Sequence, residues 1–160
     1  MSTSEPLQTE FPRRGRLLGI DYGTKRVGIA ISTGEQTIAS PVEIYTRRDQ
    51  GADRKYYLSV VEDYRPVGLV VGLPMHVGGE EGQKAHEART YGKWLGEITN
   101  LPVTWWDERY TSAVAEEFLL GAELTSKQRK KRIDMVAAQI MLQGYLDYHR
   151  PRPKTAADEE

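Results

Sequence analysis

Four acidic side chains stand where chemistry is easier to justify than packing. Asp21 interrupts the apolar run "LLGIDYGTKRVGIAIS" at residues 17–32. Asp107 and Glu108 close "VTWWDE", and Asp134 sits within "KKRIDMVAAQIMLQG". An unpaired charge in an apolar strand is expensive, so a core strand normally avoids one. Carboxylates brought together repel, and each raises the pKa of the others. A divalent cation removes that conflict, and oxygen-only ligands suit Mg²⁺ or Mn²⁺. Two such ions about 4 Å apart can activate water and stabilise a leaving oxygen in phosphodiester hydrolysis. Acids at strand ends also serve as turn formers, caps and ion-pair partners. Asp21 can cap the turn near Gly23 and Thr24, and Asp107 can pair with Arg109. Strand alternation sends Asp107 and Glu108 to opposite faces, so one of them, not both, is expected to be a ligand.

A second cluster is basic. "SKQRKKR" places Lys127, Arg129, Lys130, Lys131 and Arg132 in the opening turns of a helix, where the helix dipole disfavours cations. Phosphate contacts would account for that choice. Lys25, Arg26, Arg47 and Arg48 extend the candidate patch. The loop "MHVGGEEG" at 75–82 carries three glycines and His76. It can approach a substrate closely, with His76 a weak candidate for proton transfer.

These residues must be positioned by a scaffold, and the pattern specifies one. Runs at 17–22 and 26–32 flank a Gly-containing turn and read as a hairpin. "TIASPVEIYT" adds a third antiparallel strand, placed at an edge by Pro41. "ADRKYYLSVVEDYR" has Tyr57, Leu58, Val61 and Tyr64 at helical spacing. "VGLVVGLP" reads as a fully buried strand. A helix over 83–99 carries Ala88, Tyr91, Leu95 and Ile98 on one stripe, and "LPVTWWDE" is another strand. Thr111 or Ser112 caps a helix ending at Gly121. Thr125 and Gln128 form a capping-box pattern opening a helix to about residue 149. Its expected core stripe is Ile133, Ala137, Met141 and Gly144, which leaves Asp134 on the border, about 100° away. The order β-β-β-α-β-α-β-α-α describes an α/β domain, a mixed sheet flanked by helices.

Bulk properties narrow the classes. The 160 residues suffice for one domain with its own core. With 22 basic against 23 acidic residues, the net charge is −1, so nucleic acid would have to be held by a local patch. No cysteine is present, which excludes disulfides, thiolate metal sites and cysteine nucleophiles. No run of about 18 apolar residues suggests a membrane span, and the N-terminus lacks the apolar stretch of a signal peptide. A cytoplasmic protein with no membrane partner is expected, as a monomer or weak homodimer. Residues 1–15 and 151–160 read as flexible tails around a domain at 16–150.

"GIDYGTKRVGIAIS", "VVGLP", "VTWWDERYTS" and "GAELTSKQRKKRIDMVAAQIMLQGYLD" together resemble the YqgF (RuvX) family, the Holliday junction resolvase-like nucleases of pre-16S ribosomal RNA. The likeness spans nearly all of 16–149 in order. It implies an RNase H-like fold with a five-stranded sheet, three antiparallel N-terminal strands followed by parallel ones. It also implies metal-dependent endonuclease activity on structured nucleic acid, at the 5′ end of pre-16S rRNA or on branched DNA. The family's acidic positions fall on Asp21, on Asp107-Glu108-Arg109 with Glu108 favoured as ligand, and on Asp134. The implied catalytic and metal-binding set is therefore Asp21, Glu108 and Asp134. Lys25, Arg26, Arg109, Lys130, Lys131 and Arg132 are the candidate substrate contacts. The family usually carries Asn and Asp in the loop after G-L-P, where this chain has "MHVGGEEG". Two competing readings are a non-catalytic RNA- or DNA-binding module and a phosphate-binding ATPase, since "DYGTKRVGIAI" also resembles the phosphate loop of the actin, Hsp70 and sugar-kinase group. Those proteins duplicate the fold over a chain more than twice as long.

Overall fold

The computed structural model describes residues 11–74, 81–108 and 125–150, with the backbone alone over 129–135. The strands are β1 (Leu17–Asp21), β2 (Arg26–Ser32), β3 (Ala39–Thr46), β4 (Gly68–Leu73) and β5 (Val103–Asp107). The helices are α1 (Gln50–Tyr64), α2 (Gln83–Thr99) and α3 (Ser126–His149). The sheet order is β3-β2-β1-β4-β5. β1, β2 and β3 pair antiparallel, whereas β4 runs parallel to β1 and β5 parallel to β4. β3 is an edge strand, as Pro41 requires, and a bulge between Ile29 and Ala30 accommodates the proline's missing donor. The helix expected over 111–121 and the loop 75–80 lie outside the described residues.

Alternation along the strands divides the core in two. Leu18, Ile20, Val27, Ile29, Leu69 and Val71 face α1 and α2, meeting Tyr57, Val60, Tyr91 and Leu95. Leu17, Ala30, Val70 and Trp106 face α3, meeting Ala138, Met141, Leu142, Tyr145 and Leu146. β4 is buried at every position because helices cover both of its faces.

The α3 face is paved with glycine. A Cβ at Gly19 would lie 3.0 Å from Leu142 Cβ, and one at Gly28 would lie 3.2 Å from Ala138 Cβ. The helix therefore approaches the strands closely and runs antiparallel to β1. Ala138 crosses near the C-terminal end of β1 and Leu142 nearer its start. Of the expected stripe Met141 is buried, and the side chain of Ile133 lies outside the described residues. The buried row is Ala138, Met141, Leu142, Tyr145 and Leu146, whereas Ala137 and Gly144 are only half-buried. The helix is rotated by about one residue because burying Leu and Tyr removes more apolar surface than burying Ala and Gly. α3 opens on the expected capping box, with Gln128 N donating to Thr125 Oγ1 at 3.2 Å and Thr125 N donating to Gln128 Oε1 at 2.9 Å. Its polar flank holds the start of β3. Ala39 N donates to Gln143 Oε1 at 2.8 Å, and Gln139 Nε2 donates to the Ala39 carbonyl at 3.1 Å.

Residues 11–15, expected within the N-terminal tail, lie against the domain. The Phe11 ring meets Tyr145 edge-on at 6.1 Å. The Gln36 side-chain amide donates to the carbonyls of Pro12 and Gly15. One apolar ring and two satisfied carbonyls offset the ordering of so short a stretch. Residues 1–10 and 151–160 lie outside the described residues.

Leu142 is fully buried over Gly19. Leu142→Ala is expected to destabilise the protein by about 2–5 kcal/mol in urea unfolding, and a loss under about 1 kcal/mol would contradict this packing.

Candidate active site

Asp21 is the last residue of β1, and Glu108 follows the last residue of β5. Between their strands lies β4. Leu17, Gly19 and Asp21 share the α3 face by alternation, as do Val70 and Gly72 on β4. Trp106 packs into the α3 cluster and Trp105 into the opposite one. Asp107 therefore belongs to the α1/α2 face, and Glu108 returns to the face of Asp21. Two carboxyls on strands one removed from each other, about 4.8 Å per step, must lean across the intervening strand to meet. Gly72 leaves that space. A Cβ there would overlap Glu108 Oε1 and come within 3.1 Å of its Cγ and Cδ. The Glu108 carboxyl lies over Gly72 and hydrogen-bonds Asp21.

The electrostatics follow from that contact. The Glu108 pKa is pushed up to about 9, by burial first, then by the hydrogen bond to Asp21 and the charges of Asp21 and Asp107. Ionisation of both carboxyls at once is therefore disfavoured in the metal-free protein. Two hydrogen-bonded carboxyls are an all-oxygen donor set. Its oxygens suit a hard divalent cation. Among the described residues no group of three His, Asp or Glu side chains is close enough to hold an ion.

Asp134, the third candidate, is on α3 one turn before Ala138. Ala138 packs on Gly28, and Gly28 pairs with Asp21 in the sheet. The backbone thus brings the Asp134 segment to the end of the sheet that carries Asp21, about 6 Å along the helix from Ala138. Its side chain lies outside the described residues, as do Arg109, His76 and the side chains of Arg129, Lys130, Lys131 and Arg132.

Lys25 and Arg26 are exposed beside Asp21. They line, with Gly23, Thr24 and Lys84, a cavity of about 430 Å³ that Asp21 also lines. Lys84 brings a third cation from α2 that its sequence position alone does not announce. Arg47 has a different role from the phosphate contact expected of it. Its backbone N donates to the Lys25 carbonyl at 2.8 Å. Its guanidinium donates to Tyr22 OH at 3.2 Å and to the carbonyls of Gly23 and Thr24 at 3.3 and 3.2 Å. Arg47 braces the β1–β2 turn that presents Lys25 and Arg26. Gly72 is a supporting residue that motif reading passed over, and Arg47 was expected only as a phosphate contact. The signal for Gly72 was a glycine inside the otherwise β-branched, fully buried "LVVGL".

The contact itself is testable by a double-mutant cycle. Gly72→Ala is expected to cost about 1–3 kcal/mol through overpacking, and much less when introduced into Glu108→Ala. An equal cost in both backgrounds would show that the carboxyl does not lie over Gly72.

Comparison with known proteins identifies the family and the fold. The model of the RuvX family, described as "Holliday junction resolvase", matches residues 15–148. A Paracoccus denitrificans protein named "Putative pre-16S rRNA nuclease" is 41% identical over 143 residues, covering 89% of this chain and 90% of its own. A Rhodopirellula baltica protein of the same name is 37% identical over 155 residues, covering 97% and 90%. Among solved structures, Thermus thermophilus RuvC in complex with a Holliday junction substrate superposes with a TM-score of 0.53 at 16% identity, over 85% of this chain and 95% of that one. That likeness carries the fold, which is RNase H-like. Matched along nearly all of its described sheet and helices, and at this identity to its relatives, the chain belongs to the RuvX family.

Proposed function

We propose that this protein is a metal-dependent endonuclease that hydrolyses phosphodiester bonds in structured nucleic acid, acting on the 5′ end of pre-16S rRNA in the cytoplasm. The observation that carries the reading is the meeting of Asp21 and Glu108 across Gly72 at the C-terminal end of the sheet, where ligands of open α/β sheets bind. The family name and the names of the relatives agree with it.

Asp21 and Glu108 would hold Mg²⁺ or Mn²⁺, with Asp134 as a third carboxylate. When bound, the cation supplies a Lewis acid that eases ionisation of water and offsets charge on the leaving oxygen. The chain's own residues do the rest. The two carboxyls, fixed by β1 and β5, present oxygens from one direction. The burial of Glu108 keeps bulk water away and strengthens electrostatic interactions inside the site. Lys25, Arg26 and Lys84 flank Asp21 and would hold the phosphates on either side of the cleaved bond. Lys130, Lys131, Arg132 and Arg109 would extend that grip along the strand, as phosphate contacts that position without reading sequence. No helix among the described residues is long and apolar enough to cross a membrane.

The family description favours one second reading, branched DNA as the substrate. Incubation with pre-rRNA and with four-way junction DNA, in Mg²⁺, Mn²⁺ or chelator, separates the two. Cleavage in the metals alone is expected, with the RNA cut faster. Asp21→Asn, Glu108→Gln and Asp134→Asn should each lower the rate at least about a hundredfold. Asp21→Asn should leave the metal-free protein as stable as the parent or more so, because it relieves a carboxyl pair. Full cleavage by Asp21→Asn would refute the metal site. A stability loss above about 1 kcal/mol would instead mark Asp21 as a turn cap.

A further inference from the structure

On the other face of the sheet from the carboxyl pair, a cavity of about 340 Å³ opens between α1, α2 and the β1–β2 turn. Its wall is aromatic. Tyr22 and Tyr91 lie 5.1 Å apart with planes tilted by 53°, and Tyr91 and Trp94 lie 5.6 Å apart, tilted by 46°. The wall is braced before any ligand arrives. Tyr91 OH and Tyr57 OH share a 2.6 Å hydrogen bond in the core. The Arg47 guanidinium sits 5.3 and 4.8 Å from the Tyr22 and Tyr91 ring centroids. Tyr22 OH donates to Glu87 Oε2 at 3.3 Å. The polar rim adds Arg48 and Gln50.

We infer that this cavity binds a single nucleotide, its base against Tyr22 and Trp94 and its phosphate on Arg48. The volume is at the lower end of small-ligand pockets, about 300–1,000 Å³, which admits one nucleotide and not a duplex. Aromatic walls stack any base, and recognition of single-stranded RNA relies on bases splayed out onto such surfaces. Gln50 offers both a donor and an acceptor to a base edge, Glu87 an acceptor. A pre-braced wall loses little freedom on binding, which favours affinity. Position adds a second argument. Tyr22 follows Asp21 directly, and alternation points the two side chains to opposite faces. The pocket is therefore reached around the same sheet end that carries the carboxyls. A nucleic-acid strand lying across Asp21 and Glu108 can set one unpaired nucleotide into it. This placement rests on the nuclease reading; the pocket's ligand chemistry does not.

The ligand chemistry can come from a free mononucleotide or from a nucleotide of a bound strand. Calorimetric titration of the full chain in chelator, with 5′-AMP and separately with a short single-stranded oligoribonucleotide, tells them apart. Saturable binding of 5′-AMP identifies a free-nucleotide site, and saturable binding of the oligomer alone a strand subsite. Thr90→Trp, at an exposed α2 position on the cavity lining, fills the space, and Arg48→Glu reverses the phosphate contact. Each should weaken whichever ligand binds by about tenfold or more. If neither ligand saturates, or if both variants bind as tightly as the parent, the pocket is not a nucleotide site. Cleavage is not read in this experiment. A protein that binds and does not cut leaves the pocket standing, and one that cuts while binding ignores both variants loses the pocket alone.

Discussion

Two carboxyl groups held against each other over a glycine are the constraint around which the rest of the molecule is arranged. Asp21 and Glu108 come from strands that are not neighbours, and a single methyl on the strand between them would push them apart. Burial, the hydrogen bond to Asp21 and the neighbouring charges raise the pKa of Glu108. Carboxyls that close disfavour a second negative charge. An all-oxygen donor set of this kind is chemically suited to a hard divalent cation.

The scaffold serves that contact at each level. Parallel pairing of β1, β4 and β5 brings their C-terminal ends to one edge. Glycines at 19 and 28 let α3 lie close on one face, so that the segment carrying Asp134 reaches the same end of the sheet. The antiparallel hairpin of β1 and β2 delivers Lys25 and Arg26 beside Asp21, and Arg47, just past the end of β3, fixes its turn. On the opposite face the tyrosine network around Tyr57 and Tyr91 locks α1 to α2. The same strand end therefore carries acidic oxygen on one side and aromatic surface on the other.

Much of this was legible in the sequence because strong local signals agreed with the tertiary result. Pro41 named the edge strand, the continuous β-branched run named β4, and Thr125 with Gln128 named the start of α3. Alternation alone required Asp107 and Glu108 to diverge, but it could not say which one met Asp21. That depends on the facing of β5, which Trp105 and Trp106 decide by packing into different cores. The α3 stripe was misplaced by about one residue, because the helical period leaves several faces nearly equivalent and the glycine-floored sheet selects among them. The roles of Gly72 and Arg47 were hidden for a related reason. A glycine in a buried strand marks a close approach and an arginine a charge, but what each one meets lies across the sheet or turn.

The central claim concerns which side chains share an ion, and calorimetric titration with Mn²⁺ reads that directly. The wild-type chain should bind Mn²⁺, Glu108→Gln should weaken that binding at least about tenfold, and Asp107→Asn, one residue away on the other face, should leave it nearly unchanged. Equal weakening by the two substitutions, or loss through Asp107 alone, would contradict a site built by Asp21 and Glu108 across Gly72.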